Sequence, residues 1–306
     1  MTVALLFPGQ GTQHAAMLPW LESEPAALGI LASLATALGD DWRARLADDR
    51  WAQTNRVAQL LVTGTSVAAW RALAAGLPRV VAVAGYSVGE LAACVAAGLL
   101  EARDALALAE RRAVLMDDCA GGRDDGLLAV SGAAPADLDA ARARWSLDVA
   151  IRIGAQQCVL GGPASALDEA ALWLQARAAK ATRLGVRVAS HTRAMSAAVP
   201  LLASALAAFP WHPADAAWIA GSRGAVVREP AQVRAALAEQ VAATVRWDEV
   251  MDTVAERRPD CVLEVGPGTT LARMWRDRHP RVPVRSCDEF RDAAQARHWV
   301  AQAGRA

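Results

Sequence analysis

The chain has 306 residues, 54% of them hydrophobic and 21% charged, which is typical of a globular protein and excludes a disordered or fibrous one. Its 32 basic and 32 acidic residues cancel, which argues against nucleic-acid binding because nucleic-acid-binding proteins usually carry a basic excess. No apolar run is long enough to span a membrane, and the first residues lack the basic segment of a signal peptide. Five scattered cysteines without metal-ligand spacing predict reduced thiols, a cytoplasmic location, and no metal or redox cofactor.

The first part of the chain alternates apolar strands and helices, the pattern of an α/β domain. Residues 3–7 form a short strand that ends in a Pro-Gly-Gln-Gly turn, and residues 79–84 form a strand that is apolar on both faces. Such strands are typical of the middle of a parallel sheet. Helices are predicted over 56–77, 90–100 and 102–118.

A different pattern follows the glycine-rich break at 121–126. The order strand, helix, two strands, helix and strand over about 65 residues is that of a ferredoxin-like unit. The predicted strands cover 126–132, 149–153, 157–161 and 182–189, and the predicted helices cover 135–145 and 163–179. We therefore interpret residues 126–189 as a small subdomain inserted into a large one that comprises residues 1–125 and 190–306.

The large unit is predicted to resume with a helix over 193–208, polar turns, a helix near 231–256, and a strand that runs into a Gly-Pro-Gly turn at 261–268. This turn and the Pro-Gly-Gln-Gly turn at 8–11 both end strands. Each is either a simple turn or a set of main-chain amides at the sheet edge where α/β proteins bind ligands. Neither has the glycine spacing or the lysine of a phosphate-binding loop.

The sequence Gly85-Tyr86-Ser87-Val88-Gly89 matches the G-x-S-x-G pattern of serine nucleophiles. It stands between a predicted buried strand and a predicted helix, where a sharp turn pushes the serine out of the sheet and nearby amides can stabilise an oxyanion. The alternative is an ordinary turn in which the serine caps the helix. The strand and helix on either side favour Ser87 as a nucleophile.

A serine nucleophile needs a base, and His191 is the best placed of the five histidines. It follows the predicted strand 182–189, at the point where the small subdomain returns to the large one. A histidine at such a junction faces a cleft, where it can take the proton of the serine. A structural or surface histidine is the alternative.

Arg112 lies in the predicted helix 102–118, on a stripe that is otherwise apolar. An arginine in that position either pairs with a carboxylate of the protein or binds one of a ligand through two parallel hydrogen bonds. The residue pattern by itself favours a solvated helix face for both Arg111 and Arg112.

Six motifs in the order FPGQGTQ, GYSVGE, AERRAVLMD, VASHT, EQVAATVRW and LEVGPG resemble the malonyl-coenzyme A:acyl-carrier-protein transacylase family. The resemblance spans residues 4–275. It implies an α/β fold with an α/β-hydrolase-like large subdomain and an inserted ferredoxin-like small subdomain. It also implies a soluble transferase that moves a malonyl group from malonyl-CoA, its substrate, to the thiol of an acyl carrier protein, its partner.

The same resemblance implies a role for each matched residue. Ser87 is the acylated nucleophile and His191 its base. The main-chain amides of Gln10 and Val88 form the oxyanion hole. Arg112 binds the free carboxylate of the malonyl group. The carbonyl of a sixth residue, Gln240, orients the histidine, which explains why no acidic member of a catalytic triad stands out.

Three positions depart from the fatty-acid-synthesis pattern of the family. Tyr86 replaces the usual histidine before the nucleophile, and Gly154-Ala155-Gln156-Gln157 replaces an asparagine-containing hairpin. Ser190 precedes His191 where malonyl-selective polyketide acyltransferases often carry phenylalanine. The smaller residue leaves methylmalonyl open as an alternative substrate.

The combination GYSVGELAA, QCVLGGP and VASHT is most similar to the epsilon subunit of malonate decarboxylase. That similarity implies that malonyl transfer primes the carrier of this complex by replacing its acetyl group, with the other subunits as further partners. The alternatives are a fatty-acid or polyketide malonyl or methylmalonyl transacylase, a serine thioesterase, and a catalytically silent docking subunit.

Overall fold

The computed structural model describes residues 1–303, which form two β-sheets and thirteen α-helices. The strands are β1 (Thr2–Phe7), β2 (Arg79–Gly85), β3 (Asp125–Ser131), β4 (Asp148–Gly154), β5 (Gln157–Pro163), β6 (Lys180–Arg183), β7 (Ala217–Ala220), β8 (Ala225–Val227), β9 (Val245–Arg246), β10 (Cys261–Glu264) and β11 (Val284–Ser286). The helices are α1 (Pro25–Leu38), α2 (Trp42–Arg45), α3 (Asp49–Ala52), α4 (Asn55–Ala74), α5 (Gly89–Ala96), α6 (Ala102–Ala120), α7 (Pro135–Trp145), α8 (Ala164–Gln175), α9 (Ala198–Ala207), α10 (Pro230–Gln240), α11 (Trp247–Glu256), α12 (Thr270–Arg278) and α13 (Ala293–Ala303).

The large sheet has the strand order β11-β10-β1-β2-β7-β8, and every neighbouring pair except β7 with β8 is parallel. Its strands are apolar on both faces because helices cover both. In β1, Leu5 and Phe7 pack into the core formed with α4, α5 and α6, and Leu6 packs into the core on the opposite face. The carboxyl ends of β1, β2 and β10 therefore meet at one edge of the sheet.

The small sheet has the order β6-β3-β5-β4-β9, and its first four strands are antiparallel. Helices α7 and α8 cover one face, and the other face packs on Trp247 of α11. The predicted fold class, an α/β-hydrolase-like large subdomain with an inserted ferredoxin-like small one, is confirmed. The two residues of β9 pair with β4 although they lie outside 126–189. The predicted subdomain boundaries stay a prediction.

Two predicted elements near the site have different bounds in the structure. The strand predicted over 182–189 is β6, Lys180–Arg183, because its pairing with β3 ends at Arg183 and the chain then crosses to the large subdomain. The single helix predicted over 231–256 is divided into α10 and α11. Between them, Val245 pairs with the small sheet, and the Gln240 and Val241 carbonyls accept hydrogen bonds from His191.

Other elements went unpredicted or were shortened. The helix predicted over 193–208 is a short 3-10 turn followed by α9. The region predicted as polar turns before 231 contains β7, which extends the parallel sheet. Among the helices of residues 1–303, none is long and apolar enough to cross a membrane.

Candidate active site

Ser87 lies at the carboxyl end of β2, on a turn that leads into α5. Its φ of 57° is in the left-handed region, which costs a non-glycine residue energy and is typical of functional positions. The N-cap of α5 is Val88, which makes no side-chain capping bond, and the Ser87 hydroxyl contacts a histidine instead. The interpretation of Ser87 as a helix cap is therefore wrong.

The two flanking glycines are required by close contacts between main chains. A Cβ on Gly85 would lie 2.1 Å from the amide nitrogen of Glu90, and one on Gly89 would lie 2.3 Å from the carbonyl oxygen of Phe7. Real Cβ atoms do not approach other atoms so closely. The turn that carries Ser87 can therefore form only with glycine at both positions.

The side chains of Ser87 and His191 are buried and in contact. Ser87 Oγ lies 2.7 Å from His191 Nε2, and His191 Nδ1 lies 2.7 Å from the main-chain oxygen of Gln240. A carbonyl oxygen only accepts hydrogen bonds, so Nδ1 carries the proton and Nε2 is free to accept from the serine hydroxyl. The His191 main-chain amide also donates to Val241 O at 2.7 Å, which fixes the backbone of the histidine.

The buried imidazole is neutral near neutral pH. Burial, followed by the positive charge of Arg112, lowers the pKa of His191 to about 3, against a smaller raising effect of the Gln240 carbonyl. His191 is therefore in the form that can take a proton from Ser87.

Arg112 is 4% exposed and lies beside the serine, whereas the adjacent Arg111 is exposed. The solvated-face interpretation holds for Arg111 and is wrong for Arg112. Its Nη1 donates to Gln59 Oε1 at 2.7 Å, and its Nη2 donates to Gln240 Oε1 at 3.2 Å and to Ser87 Oγ at 3.4 Å. Burial lowers the pKa of Arg112 to about 10, so the guanidinium remains charged near neutral pH. These contacts are all to neutral groups, which leaves the site ready to take a carboxylate.

The turns that carry Gln10 and Val88 are in direct contact. The amide of Tyr86 donates to Phe7 O at 2.9 Å, and a Cβ on Gly9 would lie 2.6 Å from Tyr86 O. Both turns follow neighbouring parallel strands, so their amides lie at the sheet edge that holds Ser87.

Glu90 was not singled out in the sequence, yet it is 1% exposed and lies behind the site. Its Oε1 accepts from the amide of Gly221, and its Oε2 has no partner among residues 1–303. Burial raises the pKa of Glu90 to about 8, against lowering contributions from Gly221, Gln240 and Arg112. An acidic residue in the first turn of a helix is common, so nothing in the sequence marked it.

Gln59 was also missed because it stands within the apolar pattern of α4. It is fully buried, and its Oε1 accepts from Arg112. A glutamine on the buried side of a helix needs a polar partner. The position of Gln59 within an apolar pattern is the one signal in the sequence that could have identified it.

Two of the departures from the family pattern, Tyr86 and the hairpin residue Gln157, line one cavity. The Tyr86 ring packs edge-on against Trp247, with centroids 5.1 Å apart, and lines a cavity of about 440 Å³ together with Gln157 and Gln10. Gln10 also lines a cavity of about 740 Å³. A third cavity, of about 10 Å³, lies against Ser87 and Arg112 and is otherwise lined mainly by leucines. Among residues 1–303, no group of three His, Cys, Asp or Glu side chains is arranged to hold a metal ion.

Comparisons with known proteins identify relatives that match nearly the whole chain. Residues 4–294 match the acyl transferase domain family. A malonyl CoA-acyl carrier protein transacylase of Mycobacterium tuberculosis is 33% identical over 293 residues, which cover 93% of this chain and 95% of the relative. A polyketide biosynthesis protein of Burkholderia thailandensis is 32% identical over 97% of this chain, which matches 26% of that protein.

Solved structures show the same similarity. The crystal structure of a malonyl-CoA:acyl carrier protein transacylase from Xanthomonas oryzae superimposes with a TM-score of 0.89 at 30% identity, covering 97% of this chain and 99% of that one. The chain therefore belongs to the acyl transferase domain family, and within it to the group of the malonyl-CoA:acyl carrier protein transacylases.

Proposed function

We propose that this protein transfers a malonyl group from malonyl-CoA to the thiol of an acyl carrier protein, through an ester on Ser87. The observation that carries the proposal is the contact of Ser87 Oγ with His191 Nε2 beside a buried, charged Arg112. A nucleophile and its base explain acyl transfer. The buried guanidinium explains why the acyl group would carry a carboxylate.

In the first half-reaction, Ser87 Oγ attacks the thioester carbonyl while His191 Nε2 takes the hydroxyl proton. The amides of Gln10 and Val88 hold the oxyanion of the tetrahedral intermediate. The carbon–sulfur bond then breaks, and His191 gives its proton to the departing thiolate of coenzyme A. The product is malonyl-Ser87 with His191 neutral again.

In the second half-reaction, the carrier thiol gives its proton to His191 and attacks the ester carbonyl. The bond from carbon to Ser87 Oγ breaks, and the serine takes the proton back from the imidazole. The sequence of events is a ping-pong reaction that needs no metal or redox group. The coenzyme A thioester is the substrate.

Arg112 holds the malonyl carboxylate in both half-reactions. A bound carboxylate neutralises the guanidinium, whose positive charge otherwise lowers the pKa of His191. The histidine therefore becomes a stronger base when malonyl is bound than when acetyl is bound. The same contact selects the substrate and activates the base.

We propose that the acceptor is the carrier protein of malonate decarboxylase and that the enzyme is cytoplasmic. The support for this carrier is the combination of motifs around Ser87, Cys158 and His191. The malonyl or methylmalonyl transacylase of fatty-acid or polyketide synthesis is the second candidate. The similarity to a polyketide biosynthesis protein over 97% of this chain supports this second candidate as strongly as the motifs support the first. A simple esterase has no need for the set of Gln10, Arg112 and Gln240.

Intact-mass spectrometry with malonyl-CoA tests the reaction, with Ser87→Ala as the matched control. We expect a malonyl adduct on the wild type alone, and its loss when a carrier bearing a phosphopantetheine-type thiol is added. Steady release of coenzyme A without an adduct would show a thioesterase. No adduct and no release would show a docking subunit.

The two carrier assignments are separated by offering the malonyl-enzyme a malonate decarboxylase carrier and a fatty-acid carrier in competition. Preferred loss of the adduct to the first supports the decarboxylase assignment. Preferred transfer to the second would overturn it. Methylmalonyl-CoA in the same mass assay reports the tolerance for a C2 substituent.

A further inference from the structure

The carboxamide of Asn55, the first residue of α4, is fully hydrogen-bonded. Its Oδ1 accepts from Gln10 Nε2 at 3.0 Å and from Gln59 Nε2 at 2.8 Å. Its Nδ2 donates to the Ala113 carbonyl at 3.2 Å and to Asp117 Oδ1 at 2.8 Å. A primary amide offers two donors and two acceptor positions, so every one of them is used.

The donor and the acceptor in each of these hydrogen bonds are determined, from the Ala113 carbonyl through Asn55 and Gln59 to Arg112. The Ala113 carbonyl only accepts, so the amide nitrogen of Asn55 must face α6 and its oxygen must face the two glutamines. Gln59 must then donate through Nε2, which presents its Oε1 to the guanidinium of Arg112. Because a guanidinium only donates, a reversed Asn55 would leave Gln59 mismatched with Arg112.

The same oxygen of Asn55 holds the side chain of Gln10, whose main-chain amide we assign to the oxyanion hole. Gln10 follows β1 on a turn and lines both the cavity of about 740 Å³ and the cavity of about 440 Å³. The hydrogen bond from Gln10 to Asn55 on α4 therefore restrains that turn, in addition to its contacts with the Ser87 turn. One amide is connected to both the oxyanion hole and the carboxylate-binding arginine.

We propose that Asn55 is a positioning residue of the acyl-transfer site, which sets the place of the Gln10 amide and, through Gln59, of the Arg112 guanidinium. This inference rests on the proposed function of Ser87 and Arg112 and adds a residue that contacts neither the acyl group nor the reacting atoms. Neither the G-x-S-x-G motif nor the arginine helix includes it.

Asn55→Leu tests the inference, because leucine has a similar shape and none of the hydrogen bonds. We expect the kcat/KM for malonyl-CoA to fall about tenfold or more, since a misplacement of about 1 Å in an active site costs up to about 10²-fold. Acetyl-CoA needs the oxyanion hole but not Arg112, so its kcat/KM should fall less. The ratio of malonyl to acetyl transfer should therefore drop.

Arg56→Met is the matched control for a purely structural effect. Arg56 is the next residue of α4, and its ion pair with Glu110 also joins α4 to α6 without touching the glutamines. We expect this variant to lower the melting temperature at most, with an unchanged malonyl-to-acetyl ratio. An unchanged ratio in Asn55→Leu, with a melting temperature lowered as in Arg56→Met, would overturn the inference.

A second readout separates this inference from the proposed function. Acylation of Ser87 by p-nitrophenyl acetate needs the oxyanion hole and no malonyl recognition. We expect the burst of p-nitrophenol to slow in Asn55→Leu and not in Arg56→Met. If the wild type takes no malonyl group, the proposed function fails, and a slowed burst still supports Asn55 as a positioning residue. An equal burst rate in all three proteins would refute that role.

Discussion

Replacing Arg112 by methionine should convert a malonyl-selective site into one that prefers acetyl. Methionine fills most of the space of the arginine stem and keeps water from entering the cavity of about 10 Å³ beside Ser87. The substrate carboxylate would then enter a site where the arginine it should pair with, only 4% exposed, is gone. Removing one partner of a buried, hydrogen-bonded charge pair costs about 2–5 kcal/mol.

At about 1.4 kcal/mol per factor of ten, this loss lowers the kcat/KM for malonyl-CoA by about 30-fold to 4,000-fold. Acetyl-CoA has no carboxylate to desolvate. Its transfer should hold or rise, because removing the positive charge of Arg112 relieves one cause of the low pKa of His191. The two effects act in opposite directions on the two substrates.

The assay is a competition between malonyl-CoA and acetyl-CoA, read as the two adduct masses on the enzyme. Arg111→Met is the matched control, since Arg111 lies on the same helix and is exposed. A malonyl-to-acetyl ratio in Arg112→Met within threefold of the Arg111→Met ratio would show that the buried guanidinium does not bind the carboxylate.

Three further predictions concern buried groups and the serine turn. The folded-state pKa of Glu90, about 8, lies above its ordinary 4.5, so stability is lost as pH rises through that range. Glu90→Gln should flatten this loss in thermal unfolding between pH 5 and 9, and an unchanged profile would contradict it. His191 has the opposite sign, because its pKa of about 3 lies below 6.5 and stability falls as pH drops through that interval. His191→Gln should reduce that fall, measured by the same melts. Gly89→Ala should destabilise the fold strongly by its contact with β1, whereas Gly29→Ala, whose Cβ meets no atom within 4 Å, should not.

The local parts of the site were predictable because their signals are contiguous in the sequence. The strand, the two glycines and the helix around Ser87 are consecutive in the sequence, and together they predict the turn. The order of strands and helices along the chain was sufficient to predict the ferredoxin-like unit. His191 was located by its place after a predicted strand, although the strand itself ends at Arg183 and the histidine lies beyond it.

The residues that connect the site were not predictable, because their partners lie far away in the chain. Gln59 contacts Arg112 across 53 positions, and Glu90 contacts Gly221 across 131. Five leucines from four helices line the cavity beside Arg112. Most of them lie outside α6, so the periodicity of α6 by itself could not predict that Arg112 is buried. Likewise, the sequence pattern predicts a helix that continues through residues 241–244. In the structure the helix ends there, because Val241 accepts a hydrogen bond from His191 and Val245 pairs with the small sheet.

The groups that orient His191 and hold Arg112 carry no charge. Gln240 contributes both its main-chain oxygen to His191 and its side-chain oxygen to Arg112, 3.2 Å from Nη2. A carboxylate side chain at position 240 would form a buried ion pair with the guanidinium and, in the proposed reaction, would compete with the substrate for it. The amide oxygens of Gln59 and Gln240 carry no net charge, so their hydrogen bonds with the guanidinium are weaker than those of a carboxylate, which can displace them. In the proposed reaction, Ser87, His191 and the Gln240 carbonyl act as a triad, and the buried positive charge of Arg112 is left for the carboxylate of the acyl group.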